Sequence, residues 1–327
     1  MSSRNRGSAM AAAALAVIGV ALYLILSPSD ARTSSAGDEM TTGLAGAQLM
    51  VRAVDRNDPF ANGRVFVVKA GRPRQLSGPP LDCERVDFAG GRGVCMTIAE
   101  RGHEGETTIF DSSLRQLGRA PLAGMPLQAR VSNDGRLGAL TAVANANVEP
   151  DDEVDGVASE TDIVDLRSGR ELADLASFRI SKGGRAFEPE EPRFASVTFA
   201  KGSDRFYATL RVADRSYLVE GSIAGRTMRV LRSGIEAPSL SPDGRRLACK
   251  VQVGEDRWRL AVLDLETMRL RRSAEHRQIE EQVEWLNDDA LVYSDGFDVF
   301  TVAADGRGSP RLVLRDATSP VRLSGPP

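Results

Sequence analysis

The sequence predicts an all-β fold: a six-bladed β-propeller of four-stranded antiparallel blades, preceded by one N-terminal hydrophobic helix. Three observations predict it. A strand-turn-strand unit recurs at a period just above 40 residues, each copy is followed by a second pair of β-rich runs, and helical periodicity is almost absent after residue 26. The clearest copy runs from Ala237 to Lys250, APSLSPDGRRLACK. Pro242 presets φ at the first turn position, Asp243 bonds its own backbone, and Gly244 tolerates the positive φ that closes the hairpin. Two strands bury no face by themselves, so copies must stack.

In chain order, residues 1–8 form a short cytoplasmic end, and Ala9 to Leu26 give 18 residues without a charge, preceded by Arg4 and Arg6. A span of about 20 apolar residues crosses the hydrocarbon core, whereas a cleavable signal has an apolar core of about 7 to 15. Length favours a retained anchor. Ser29-Asp30-Ala31 resembles a small-x-small cleavage site, so secretion after signal cleavage is the alternative. Arginine on the N-terminal flank keeps that end in the cytoplasm and sends the rest outward, so the expected location is the cell membrane, single-pass, with the propeller extracytoplasmic. Residues 27–46, rich in Ser, Thr, Gly and Asp, read as a flexible tether, and residues 47–327 hold the propeller.

Composition bounds the partners. A chain of 327 residues with 42% hydrophobic content buries a large core, and its formal charge of -3 provides no basic field that would track a phosphate backbone. Nucleic acid is excluded as an expected partner.

Aligned on the opening unit, the other copies are VDFAGGRGVCM from Val86, ARVSNDGRLGAL from Ala129, VTFAKGSDRFYATL from Val197 and VEWLNDDALVYSD from Val283. The residue before each turn is Phe88, Val131, Phe199, Leu240 and Trp285, at separations of 43, 68, 41 and 45. Second halves such as TTIFDSSLRQLG from Thr107 and RLAVLDLETMRLRR from Arg259 supply two further strands each. Four short strands at this period form propeller blades. Ala47 onward supplies three β-rich runs without an opening strand, and SPVRLSGPP from Ser319 looks like the missing one. The chain ends are therefore expected to complete one blade together. The long gap of 68 carries about 25 extra residues, visible as Glu149 to Glu153 and as EPEEP from Glu188 to Pro192, expected as acidic surface segments.

Cys83 and Cys95 flank a predicted hairpin whose turn is Ala89-Gly90-Gly91-Arg92, so antiparallel pairing brings them close and an oxidising compartment permits a disulfide. Two unpaired thiols are the alternative. Cys249 has no partner and reads as core filler.

The SPDGRRLA unit, its degenerate copies, and the LDLETMRL and VAADGRGSPRLVL second halves resemble the TolB-like six-bladed β-propeller family, in particular membrane-anchored or secreted envelope proteins of high-GC Gram-positive bacteria (actinobacteria). The resemblance covers about residues 47 to 327. It implies a propeller fold and an envelope setting. No α/β domain is expected ahead of the propeller, so the namesake's partnership with the Tol and Pal system is not carried over.

Few residues carry a chemical signature. His103 and His276 sit in unrelated positions of the repeat and read as surface histidines, because neither has further ligands at a metal-binding spacing. Gly90, Gly91 and Gly93 lie between two strands, as a hairpin turn does, whereas a phosphate loop needs a helix next. Asp151, Glu153 and Asp155, with Gly156 sixth and Asp162 twelfth, imitate a calcium loop. Glu in third place, Asp in twelfth and the lack of flanking helices favour a plain acidic loop. No catalytic residue and no cofactor is assigned. The aromatic residues Phe88, Phe199, Phe206, Tyr207, Trp258, Trp285 and Tyr293 fall at strand positions and read as packing between blades.

The leading functional expectation is a non-catalytic, monomeric binding or scaffold module for an envelope protein or cell-surface ligand, engaged where loops converge at the channel mouth. The alternative is a hydrolase or lyase acting on envelope carbohydrate or peptide. It needs paired acids on innermost strands, and Asp87 and Glu284 are the candidates.

Overall fold

A computed structural model describes residues 48–57, 63–69, 72–74, 79–98, 105–143, 159–254, 257–279 and 281–323. The chain divides into two units, residues 1–38 and 39–327; the first lies outside the described residues, as do the expected anchor and most of the tether. Among the described residues no helix is long and apolar enough to cross a membrane.

Six antiparallel sheets follow one another. Blade one contains β1 (Gln48–Ala53), β2 (Gly63–Lys69), β3 (Arg72–Arg74) and the two-residue β4 (Asp82–Cys83). Blade two is β5 (Arg85–Ala89), β6 (Arg92–Ile98), β7 (Gly105–Asp111) and β8 (Gln116–Ala120). Blade three is β9 (Met125–Val131), β10 (Leu137–Val143), β11 (Ser159–Asp165) and β12 (Arg170–Asp174). A hairpin of β13 (Arg179–Lys182) and β14 (Arg185–Ala186) precedes blade four: β15 (Arg193–Phe199), β16 (Arg205–Val212), β17 (Arg215–Ser222) and β18 (Thr227–Ser233). Blade five is β19 (Ile235–Leu240), β20 (Arg246–Gly254), β21 (Arg257–Asp264) and β22 (Leu270–Arg272). Blade six is β23 (Glu284–Asn287), β24 (Ala290–Asp295), β25 (Asp298–Ala303) and β26 (Arg311–Arg315), and β27 (Ala317–Leu323) returns to blade one. Gln48 pairs with Leu323 and Met50 with Val321, so the C-terminal strand closes the first blade as its innermost member, as expected.

The turn chemistry repeats atom for atom. At Ser241–Gly244, Asp243 Oδ1 accepts from Ser241 Oγ and from Arg245 N–H at 3.0 Å, and Gly244, at φ +75°, donates its N–H to Ser241 O. Ser132, Asp134 and Gly135 reproduce each of these bonds in blade three. The short polar side chain satisfies the backbone that the tight turn leaves unpaired.

Packing between blades makes the core. Phe178, Phe194, Phe199, Phe206 and Tyr217 fill the space between blades three and four, and Trp285 and Tyr293, 1% and 0% exposed, sit between blades five and six. The expected role of Phe199, Phe206, Tyr207, Trp285 and Tyr293 holds, and Phe88 stacks on Phe110. Cys249 is buried and free, and burial pushes its thiol up to about 12.

The insertion between blades three and four differs in part from the expected surface loop. Residues 144–158 lie outside the described residues, but the later part is built: a 3-10 turn, Leu175–Ser177, is capped by Asp174, and β13 pairs in parallel with β18. The hairpin covers the outer edge of blade four, a location where unpaired strand groups otherwise invite association. Glu188, Glu190 and Glu191 are exposed, as expected.

Candidate functional site

The innermost strands are β27, β5, β9, β15, β19 and β23, one per blade. Their first halves line an upper cavity of about 340 Å³, and their last residues line a lower one of about 240 Å³. Asp87, Arg130 and Glu284 line both cavities and therefore mark the waist of the channel. They occupy one column of the repeat, the residue immediately before Phe88, Val131 and Trp285. Thr198 and Ser239 hold the same column in blades four and five and line the lower cavity.

Arg130 Nη1 bonds Glu284 Oε2. Blades three and six stand opposite each other in a ring of six, so this ion pair is a strut across the channel. Asp87, 5% exposed, accepts the Val131 N–H, and burial pushes its carboxyl up to about 6. Arg130 and the backbone N–H groups oppose that rise, and Glu284 adds to it. The Nε of Arg130 is buried with no hydrogen-bond partner.

Above the waist the wall is charged and mostly paired. The Arg211 guanidinium forks onto Glu236, Nε to Oε1 at 2.8 Å and Nη2 to Oε2 at 2.7 Å. Burial raises the Glu236 carboxyl, but these bonds outweigh it and hold the group below its usual range. Arg85 donates to Leu127 O at 2.9 Å and pairs with Glu84, which also takes Arg52 Nη2 at 2.7 Å.

Three innermost strands bulge at the upper cavity. Ser196, Ala237 and Ser319 have φ of 56°, 49° and 50°, in the left-handed region that non-glycine residues rarely adopt. A side chain accepts the freed N–H each time: Gln128 Oε1 from Ser196 at 2.7 Å, Thr209 Oγ1 from Ala237 at 2.9 Å, and Ser294 Oγ from Ser319 at 3.1 Å. Carbonyls beside two of these bulges meet Gln282, whose Nε2 donates to Ser196 O and Val197 O at 3.4 Å and to Pro238 O. Strain of this kind persists where surrounding bonds over-determine it, commonly at ligand sites.

Of the residues singled out from sequence, Asp87 and Glu284 do meet in the channel. A guanidinium stands with them. Cys83 and Cys95 form a disulfide with Cα atoms 5.4 Å apart, but the geometry differs from a bridge across one hairpin. Cys83 lies in β4, paired with β2 of blade one, so the bond staples blade one to blade two. Gly90 and Gly91 form the β5–β6 turn at φ +56° and +82°. His276 is exposed, and His103 lies outside the described residues. So do Asp151, Glu153 and Asp155. Asp162 is described and faces Asp174 across β11–β12; burial pushes its carboxyl up to about 7, helped by Glu171, Asp174 and Glu160. Among the described residues no group of three or more His, Cys, Asp or Glu could hold a metal ion.

No family model matches the chain, and no curated protein matches its sequence. Solved structures do match in three dimensions. TolB from Acinetobacter baumannii superposes with a TM-score of 0.60 at 14% identity, covering 84% of this chain and 66% of that one. A putative TolB from Agrobacterium tumefaciens superposes with a TM-score of 0.51 at 12% identity, over 84% and 91% of the two chains. The fold is a TolB-like β-propeller. This TolB-like propeller spans just under two-thirds of the Acinetobacter chain's length. It also superposes on a chain of a nidogen/laminin complex with a TM-score of 0.54 at 13% identity, over 85% and 98% of the two chains. At such identities the likeness concerns the fold.

Proposed function

We propose that this TolB-like propeller is a non-catalytic docking module, held on the extracytoplasmic side of a bacterial membrane by residues 9–26, that grips an envelope protein or cell-surface ligand at the upper mouth. Release after signal cleavage is the secreted variant of the same reading. The supporting observation is the Arg130–Glu284 strut, which turns an open channel into a floored recess. Around that floor, paired charges and bulged backbone present fixed hydrogen-bonding groups, which is what a recognition surface on a rigid scaffold needs. The nidogen/laminin match supports the same use of the fold, since it is a structure of a complex.

The enzymatic reading has one observation in its favour: a carboxyl at about 6, Asp87, is tuned as a general acid would be. Against it, a glycosidase leaves the space between its carboxylates for sugar and water. Here Glu284 is bonded to Arg130, and Arg130 also faces Asp87.

The test is in-cell crosslinking and affinity purification of the tagged full-length chain, beside a tagged segment 1–46 and a Leu127→Arg variant. Leu127 lines the mouth and is 40% exposed, so the substitution blocks the recess without opening the core. A protein enriched by the native chain and lost with both controls supports docking. Enrichment that survives Leu127→Arg, or none at all, overturns it.

A further inference from the structure

The arginines lining the upper mouth are already engaged. Arg85 is bonded to Leu127 O and Glu84, Arg211 to Glu236, and Arg130 to Glu284; Lys250 also has a partner. One carboxylate is not. Glu281, on the connector entering blade six, lines the cavity half-buried, and no hydrogen bond or ion pair to its side chain comes from the described residues. Arg52 attracts and Glu84 repels its charge, and those two are bonded to each other. Its neighbour Gln282 shows what the adjoining wall accepts: one amide nitrogen satisfied by the carbonyls of Ser196, Val197 and Pro238. Among the described residues that line it none is aromatic, so these residues offer no ring on which a sugar face or a base could stack.

We propose that the upper mouth recognises a cationic nitrogen, the guanidinium or ammonium of an Arg or Lys side chain presented by a peptide. Glu281 is the counter-charge, and Ser196, whose carbonyl already accepts from Gln282, is the neighbouring acceptor on the cavity wall. This rests on the docking reading and names the chemistry it selects. Charge-assisted bonds to a half-desolvated carboxylate are about twice as strong as neutral ones, and a multi-donor cation uses both kinds of acceptor at once. Specificity then follows from the acceptor left without a donor when an uncharged analogue binds.

Calorimetric titration of the full-length chain in detergent with Ac-Gly-Arg-Gly-NH2, Ac-Gly-Lys-Gly-NH2 and the citrulline counterpart of the first tests this. Saturable binding of at least one cationic peptide is expected in the millimolar range, at least fivefold weaker for Glu281→Gln, with no saturation by the citrulline peptide. The Arg and Lys arms separate guanidinium from ammonium. A cooperative melt of Glu281→Gln shows that any loss of binding is not a loss of the fold. Equal binding of citrulline and arginine peptides by the native chain overturns the proposal, as does the absence of saturation by both cationic peptides. Should the crosslinked partner persist while the peptides fail, docking stands and this assignment falls.

Discussion

Asp87 sits where burial, neighbouring charges and hydrogen bonds compete. Burial is the largest and disfavours its charged form, Arg130 and the Val131 N–H favour it, and Glu284 disfavours it again, with a folded-state position of about 6 against an ordinary 3.8. A carboxyl raised on folding holds its proton more tightly in the native state. Its contribution to stability is therefore present below about pH 4 and is lost as pH rises to about 6, on the order of 3 kcal/mol. Asp87→Asn keeps an acceptor for Val131 and does not titrate. The stability of the native chain relative to Asp87→Asn should fall between pH 4 and 6 and then level off. Denaturant midpoints across that range check this, and a flat or rising difference would refute the assignment. Reading the sequence found Asp87 and Glu284 but not Arg130. The signal was present, since all three stand one residue before the strand-end position that aligned the repeats. What hid it is that arginine is abundant on the outer faces and turns, and only the curvature of the ring brings blade three's arginine against blade six's glutamate.

The strand-turn-strand unit was legible because its turn is chemically explicit: Ser241, Asp243 and Gly244 each satisfy a stated backbone need. Pairing partners were less legible. Cys83 and Cys95 were recognised as a pair, yet their blades were not, because a two-residue strand such as β4 carries no periodicity to reveal that it leaves blade two for blade one. The bulges at Ser196, Ala237 and Ser319 were invisible for a similar reason: no glycine marks them, and the side chains that hold them lie on other strands. The staple has a measurable weight. Closing a loop of about 13 residues restricts the unfolded chain by roughly 3 kcal/mol. Cys83→Ser with Cys95→Ser should lower stability by about that much, and dithiothreitol should lower the melting temperature of the native chain but not of the double variant. An equal response to reductant in both proteins would assign the loss to some other change.

At the scale of the whole molecule, two devices of different kinds join the disulfide in holding the ring: β27 completing blade one, and the strut joining blades three and six. β27 buries Ala317, Val321 and Leu323 and pairs along β1. Deleting residues 316–327 should abolish the cooperative thermal transition or lower it by more than 10 °C, since an opened ring exposes both an edge and an apolar blade face. A melt within a few degrees of the native one would show that closure does not depend on this strand. The location of β27 also sets a schedule. A chain emerging from a ribosome, or threading through a translocation pore, delivers the outer strands of the first blade at the beginning and its innermost strand at the end. Blades two to six can form while blade one waits. During that interval β1 has an unfilled side, and it stays so until β27 arrives.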